Sequence, residues 1–174
     1  MLNNTSMNRV FVYGTLKSGQ PNYFRLMDPD SGSAKFVNQG KTMEKYPLVI
    51  ERLYNLPCLL HVPGTGTNVK GEIYEVDEKK MRFLDYFEDH PEMYKRTLIS
   101  VEHQNSVETQ SSVTDSHSNS PHTENQPNTS SQCWCYFYND RDGSLKDLPR
   151  LDNYDSKGDH GLEYDSSLDA EFDK

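Results

Sequence analysis

The stretch Arg9-Val10-Phe11-Val12-Tyr13-Gly14-Thr15-Leu16-Lys17 places four apolar or aromatic residues in a row, with β-branched Val10 and Val12 among them. Such a run reads as a strand buried on both faces. Gly14 ends it, a residue free to take backbone angles that others avoid. A buried strand running into a tight glycine turn leaves several backbone N–H groups pointing off its end, and these make a concavity for a carboxylate or a polarised carbonyl. Many buried strands also simply stop at a glycine, so the stretch alone leaves both readings open.

Outward from this strand, residues 18–22 read as a loop and Tyr23–Met27 as a short helix closed by Asp28-Pro29-Asp30. Ala34–Thr42 and residues 48–51 read as strands separated by Tyr46-Pro47, and residues 58–62 as a further short strand stopped by Pro63-Gly64-Thr65-Gly66. Lys70–Val76 alternates polar and apolar with period two, the pattern of a half-buried strand. Asp77 is a good N-cap, Glu78 follows it in the first turn, and Met81, Leu84 and Phe87 recur at helical spacing up to Pro91. Residues 95–103 and 133–138 are strands again. Some seven short strands, one clear helix and frequent turns predict an α+β domain built on a small barrel or curled sheet, with no repeat and no second domain.

The 174 residues suffice for one hydrophobic core. Apolar content is 33% and mean hydropathy −0.89, a deficit concentrated in residues 1–8, residues 104–132 and the acidic stretch after Asp152. Residues 1–8 are expected to be flexible, 9–164 to form the single domain, and 165–174 to be a flexible acidic tail. The segment 104–132 is rich in Ser, Thr, Asn, Gln, His and Pro. It cannot bury enough apolar area to order itself, and reads as a disordered insertion in a hairpin. Net charge is −9 with no basic stripe, which excludes the usual phosphate-driven nucleic-acid binder. There is no ~20-residue apolar run for a membrane span and no apolar signal core, so the expected location is the cytosol.

Cys58, Cys133 and Cys135 give no disulfide framework, and Cys133 and Cys135 flank Trp134 on one strand face, as buried reduced thiols. No metal-ligand spacing accompanies them. His117 and His122 in the polar segment are weak ligand candidates only. A calcium loop beginning at Asp152 fails, because Tyr154 and Lys157 occupy positions that need an oxygen ligand and a glycine. The triplets Asn4-Thr5-Ser6 and Asn128-Thr129-Ser130 match the glycosylation pattern by chance in a chain with no secretion signal.

One residue stands out within the helix. Met81, Leu84 and Glu88 are three and four apart and share a face, whereas Asp85 and Asp89 can turn to water. An apolar setting disfavours the charged carboxyl and raises its pKa, which suits a general base and acid at neutral pH. A glutamate in a last helical turn can equally fray into solvent.

Phe11-Val12-Tyr13-Gly14-Thr15-Leu16-Lys17, then Tyr46-Pro47-Leu48-Val49-Ile50, then Phe83-Leu84-Asp85-Tyr86-Phe87-Glu88 and Tyr94-Lys95-Arg96, together resemble the gamma-glutamylamine cyclotransferases of the gamma-glutamylcyclotransferase-like superfamily. The segment from Tyr154-Asp155-Ser156 to Gly161-Leu162 looks like that family's C-terminal part. The resemblance covers residues 9–162 apart from the polar insertion. It implies a small mixed β-barrel with flanking helices. It also implies a substrate-binding loop at Tyr13, Gly14, Thr15 and Leu16, and a catalytic glutamate at Glu88. The implied reaction releases 5-oxoproline and a free amine from an L-gamma-glutamylamine such as gamma-glutamyl-epsilon-lysine, left when transglutaminase cross-links are digested. No metal or organic cofactor is implied. Tyr13 would wall the pocket, and the segment around Pro47 together with Tyr154-Asp155-Ser156 would close it.

The expected partner is a small γ-glutamyl substrate and not nucleic acid or membrane, with the chain a monomer. Two alternatives stay open: a cyclotransferase acting on gamma-glutamyl amino acids or glutathione, whose loops usually read Tyr-Gly-Ser-Asn-Leu or Tyr-Gly-Ser-Leu, and a non-enzymatic regulator that binds a γ-glutamyl metabolite. Thr15-Leu16 favours the amine branch, and a carboxylate on an apolar stripe argues against the regulator.

Overall fold

The computed structural model describes residues 6–104 and 129–172. Five strands close into a barrel: β1 (Asn8–Val12), β2 (Ala34–Thr42), β5 (Lys70–Val76), β6 (Tyr94–His103) and β7 (Ser130–Tyr138), in the order β1-β5-β2-β6-β7. β1 pairs antiparallel with β5 from Asn8↔Val76 to Val12↔Glu72 and parallel with β7 at Val10↔Trp134, which makes the sheet mixed. β2 joins β5 antiparallel, with an irregularity between Phe36 and Asn38, and reaches β6 at Gly40↔His103. β3 (Leu48–Ile50) and β4 (Pro57–Leu59) form a separate hairpin.

Alternation along the strands sorts side chains between two cores. Phe11, Ile73, Ile99, Val101, Cys133, Cys135 and Phe137 fill the barrel together with Leu48 and Leu59 of the hairpin. Val10, Val12, Tyr74, Val76 and Tyr136 form the opposite face, covered by α2 (Glu78–Phe87) through Met81 and Leu84. β1 is therefore buried on both faces, as its sequence requires. All three cysteines are buried and unpaired.

α2 starts where its sequence says. Asp77 accepts the Lys80 N–H at 2.8 Å and the Ser33 N–H at 3.0 Å. Gly32, at φ 118°, passes so close that a Cβ would lie 2.3 Å from the Lys80 nitrogen, so both the angle and the space demand glycine. The helix ends sooner than Pro91 suggests. Glu88 caps it, its N–H bonded to Leu84, and Asp89 turns the chain away at φ 47°.

Other differences have equally local causes. β4 does not run on to Val62: its antiparallel partner β3 begins at Leu48, opposite Leu59, so beyond Leu59 there is no ladder to extend, and Leu60 bridges to Tyr138 instead. Lys70–Val76 is buried on both faces rather than one, because α2 covers the face the polar residues were expected to expose. Glu72 is only 5% exposed there. It accepts from the Ser18 N–H at 2.9 Å, the Tyr74 hydroxyl at 2.9 Å and Gln39 at 3.3 Å, and so holds down the loop that follows β1.

The expected insertion at 104–132 lies mostly outside the described residues, as do His117, His122 and the first five residues. Within the part described, Ser130, Ser131 and Gln132 already belong to β7. The tail segment Ser166–Glu171 forms a 3-10 helix, with Asp169 almost fully buried. The acidic stretch expected to be a solvated tail thus packs on the domain over that span. Among the described residues, no helix is long and apolar enough to cross a membrane.

Candidate active site

β1 delivers its C-terminal end to a cavity. Tyr13, Gly14, Thr15 and Leu16 line it together with Glu88 from the end of α2, so the residues singled out from sequence share one pocket. Leu56 and Pro57 from the hairpin, Met93 and Tyr94 at the start of β6, Tyr136 of β7, and Tyr164, Leu168 and Asp169 of the tail complete the wall with Phe87.

Gly14 to Lys17 make a tight turn, with the Lys17 N–H donating to the Gly14 carbonyl at 3.1 Å. The N–H groups of Gly14, Thr15 and Leu16 carry no hydrogen bond to another described residue, which leaves them for a ligand. The turn needs its glycine for space: φ at Gly14 lies outside the left-handed region, and a Cβ there would sit 2.7 Å from the Pro57 ring. The loop beyond is fixed by Asn22, whose N–H donates to the Thr15 carbonyl at 2.9 Å and whose side-chain amide donates to the Thr15 hydroxyl at 3.2 Å.

Glu88 is half-buried and lines the cavity. Removal from water raises its carboxyl to about 8, and the nearby Asp169 carboxylate adds to the effect. Four phenols surround it. Tyr13, Tyr94, Tyr136 and Tyr164 are all pushed up, chiefly by burial and in part by the Glu88 charge. None donates to Glu88. Tyr13 bonds the Tyr136 carbonyl at 2.7 Å, Tyr94 the Pro57 carbonyl at 3.1 Å, Tyr136 the Asp85 carboxylate at 2.7 Å, and Tyr164 the Asp169 carboxylate. With all four hydroxyls committed, the Glu88 carboxyl has no hydrogen-bond partner among the described residues. A group with a raised pKa, no partner and a cavity in front of it is suited to proton transfer.

Asp85 does not turn to water as its helical position suggests. β6 and β7 bring Arg96 to 3.2 Å and the Tyr136 hydroxyl against it, and the Arg96 guanidinium lies over the Trp134 ring at 4.9 Å. The expected closing segments also differ. Pro47 and Tyr154-Asp155-Ser156 do not line the cavity. Tyr154 is packed in the barrel core, where its carbonyl accepts from Lys17 Nζ at 2.6 Å. Tyr136, Pro57 and Asp169 were not singled out from sequence, and Tyr94 only as part of a family motif, with no role in the pocket. For the two tyrosines a signal existed, since both fall on the outward row of their strands with Trp134 and Tyr138, but only strand pairing brings that row to the end of α2. Among the described residues, no group of His, Cys, Asp and Glu is arranged to hold a metal.

Residues 10–159 match the family model described as gamma-glutamyl cyclotransferase, AIG2-like. The chain is 44% identical over 158 residues to the gamma-glutamylaminecyclotransferase of Homo sapiens, covering 91% of this chain and 96% of that protein. It is also 44% identical over 158 residues to gamma-glutamylaminecyclotransferase B of Danio rerio, covering 91% and 73%. The crystal structure of an AIG2-like protein of Mus musculus superposes with a TM-score of 0.76 at 43% identity, over 91% of this chain and 95% of that one.

Proposed function

The chain belongs to the AIG2-like gamma-glutamyl cyclotransferase family, and on that premise we propose that it is a gamma-glutamylamine cyclotransferase. It converts an L-gamma-glutamylamine, such as gamma-glutamyl-epsilon-lysine, into 5-oxoproline and the free amine. One observation carries the reading: a carboxyl raised to about 8 and without a hydrogen-bond partner among the described residues shares a cavity with a turn whose N–H groups are likewise open.

The reaction needs the substrate folded so that its α-amine meets its own γ-carbonyl, a proximity effect supplied by the pocket walls. Glu88 takes a proton from the α-ammonium. The amine adds to the γ-carbonyl, forming the ring C–N bond, and the carbonyl oxygen becomes an oxyanion. N–H groups of Gly14, Thr15 and Leu16 serve the oxyanion and the α-carboxylate. The ring nitrogen gives up a second proton as it becomes an amide. The bond to the leaving nitrogen breaks, and the amine departs as an ammonium, having received both protons through Glu88. With a pKa near neutrality, the same carboxyl serves as base and then as acid. The three unpaired thiols accord with a cytosolic setting.

Incubation of the protein with gamma-glutamyl-epsilon-lysine tests the reading by the appearance of 5-oxoproline. Gamma-glutamyl-alanine and glutathione, run in parallel, test the leaving group. Turnover of gamma-glutamyl-epsilon-lysine above both supports the amine assignment. Preference for either of the others moves the substrate, and no 5-oxoproline from any of the three overturns the activity.

A further inference from the structure

We propose that Asp169, on the tail helix, is the pocket's binding group for the substrate's α-ammonium, and so makes the site selective for γ-glutamyl compounds whose α-amine is free. The inference rests on the reading of the pocket as a γ-glutamyl site.

Asp169 is only 4% exposed, yet it lines the cavity. No lysine, arginine or histidine lines that cavity among the described residues, and Asp169 has no ion-pair partner there. A buried carboxyl that lines a cavity with no cation beside it is placed to receive a cationic group from a ligand. Its placement relative to the open N–H turn is also specific. The Thr15 hydroxyl accepts from Asn22 Nδ2 at 3.2 Å. The same amide donates to the Tyr164 hydroxyl at 3.1 Å, and Tyr164 in turn donates to Asp169. An anion cradle and a carboxylate are thereby tied to one another through two side chains. The α-carbon of a γ-glutamyl group bears a carboxylate and an ammonium together, so a site for that head group needs complementary charges side by side. Residues 14–16 supply one half and Asp169 the other, with Glu88 beside them to take the proton. Asp169 and Tyr164 both lie beyond residues 10–159 matched by the family model, so this half of the site comes from the chain's own tail.

Calorimetric titration of the full chain separates this from a structural role. The background is Glu88→Gln, to stop turnover. The ligands are gamma-glutamyl-methylamide, whose one ammonium is the α-ammonium, and 5-oxoproline, which keeps the carboxylate but has none. Asp169→Asn is expected to weaken the methylamide by about 10- to 150-fold, the range for a lost charge-assisted hydrogen bond, and to leave 5-oxoproline largely unchanged. Asp169→Glu restores most of the methylamide affinity. Tyr164→Phe, which removes the orienting hydroxyl and keeps the charge, gives a smaller loss confined to the same ligand. Equal losses for both ligands, or no loss for either, overturn the role of Asp169 while leaving the pocket assignment intact. Failure of the Glu88→Gln parent to bind either ligand overturns the γ-glutamyl reading itself.

Discussion

Two residues at the pocket do work that no neighbour can take over. In the proposed reaction Glu88 is the carboxyl that moves protons, and Gln keeps its shape without that capacity. Glu88→Gln should lower turnover about 10²- to 10⁴-fold, the usual share of general acid–base catalysis, with 5-oxoproline release as the measurement. Gly14 matters through the space beside Pro57. A methyl group 2.7 Å from the proline ring forces the β3–β4 hairpin outward. Gly14→Ala is therefore expected to lose ~1–3 kcal/mol, the cost of overpacking, and Gly14→Val more. Thermal denaturation checks the stability and titration with 5-oxoproline checks the pocket. An alanine variant with unchanged melting and binding would show that the hairpin yields freely.

At the scale of elements, α2 is held by an unusual anchor. Lys80 is fully buried, and its ammonium donates to the carbonyls of Arg25 at 3.2 Å and Asp28 at 2.8 Å and to the Ser31 hydroxyl. Lys80→Met removes these three hydrogen bonds and should cost about 1–3 kcal/mol, read as a lower denaturant midpoint. Displacement of α2 would also move Glu88 at its end, so kcat should fall with stability. The β6–β7 hairpin is the opposite case. Its register is continuous from Tyr94↔Tyr138 to Glu102↔Ser130, and His103 bonds the Thr129 carbonyl at 2.7 Å. The ladder itself holds the strand ends together, so replacement of residues 105–128 by a short glycine-containing turn should leave melting temperature and turnover unchanged. Loss of turnover at constant stability would assign that segment a part in the pocket.

Across the whole molecule, the pocket draws on β1, α2, the β3–β4 hairpin, β6, β7 and the tail, and its electrostatics carry a cost to folding. A carboxyl near 4.5 in the unfolded chain and about 8 in the fold binds its proton more tightly when folded. Its burial is therefore free of penalty below pH 4.5, and stability is lost as pH rises from there through 8. The Glu88→Gln variant lacks this titration. It should melt close to the parent at pH 4 and clearly above it at pH 8, a gain in stability at the expense of activity. Equal melting at both pH values would mean that the folded protein keeps Glu88 well hydrated.

Short-range chemistry was legible in the chain. The run Val10-Phe11-Val12 determined a doubly buried strand, Asp77 with the Met81–Leu84 stripe determined α2, and Glu88 at the end of that stripe announced a carboxyl out of place. Motif order was enough to point to the family and to the turn at Gly14-Thr15-Leu16. These depend on residues within a few positions of one another, where periodicity and capping act. Only closure of the barrel decided the rest. It put Arg96 and Tyr136 on Asp85, buried Glu72 and Lys80 among donors and acceptors from other elements, and pressed Pro57 onto Gly14. It also gathered four tyrosines around Glu88, each committed to a different partner, and folded an acidic tail so that Asp169 lines the pocket. A charged residue's environment is set by whatever the chain brings to it from far along the sequence, and periodicity within one segment carries no record of that.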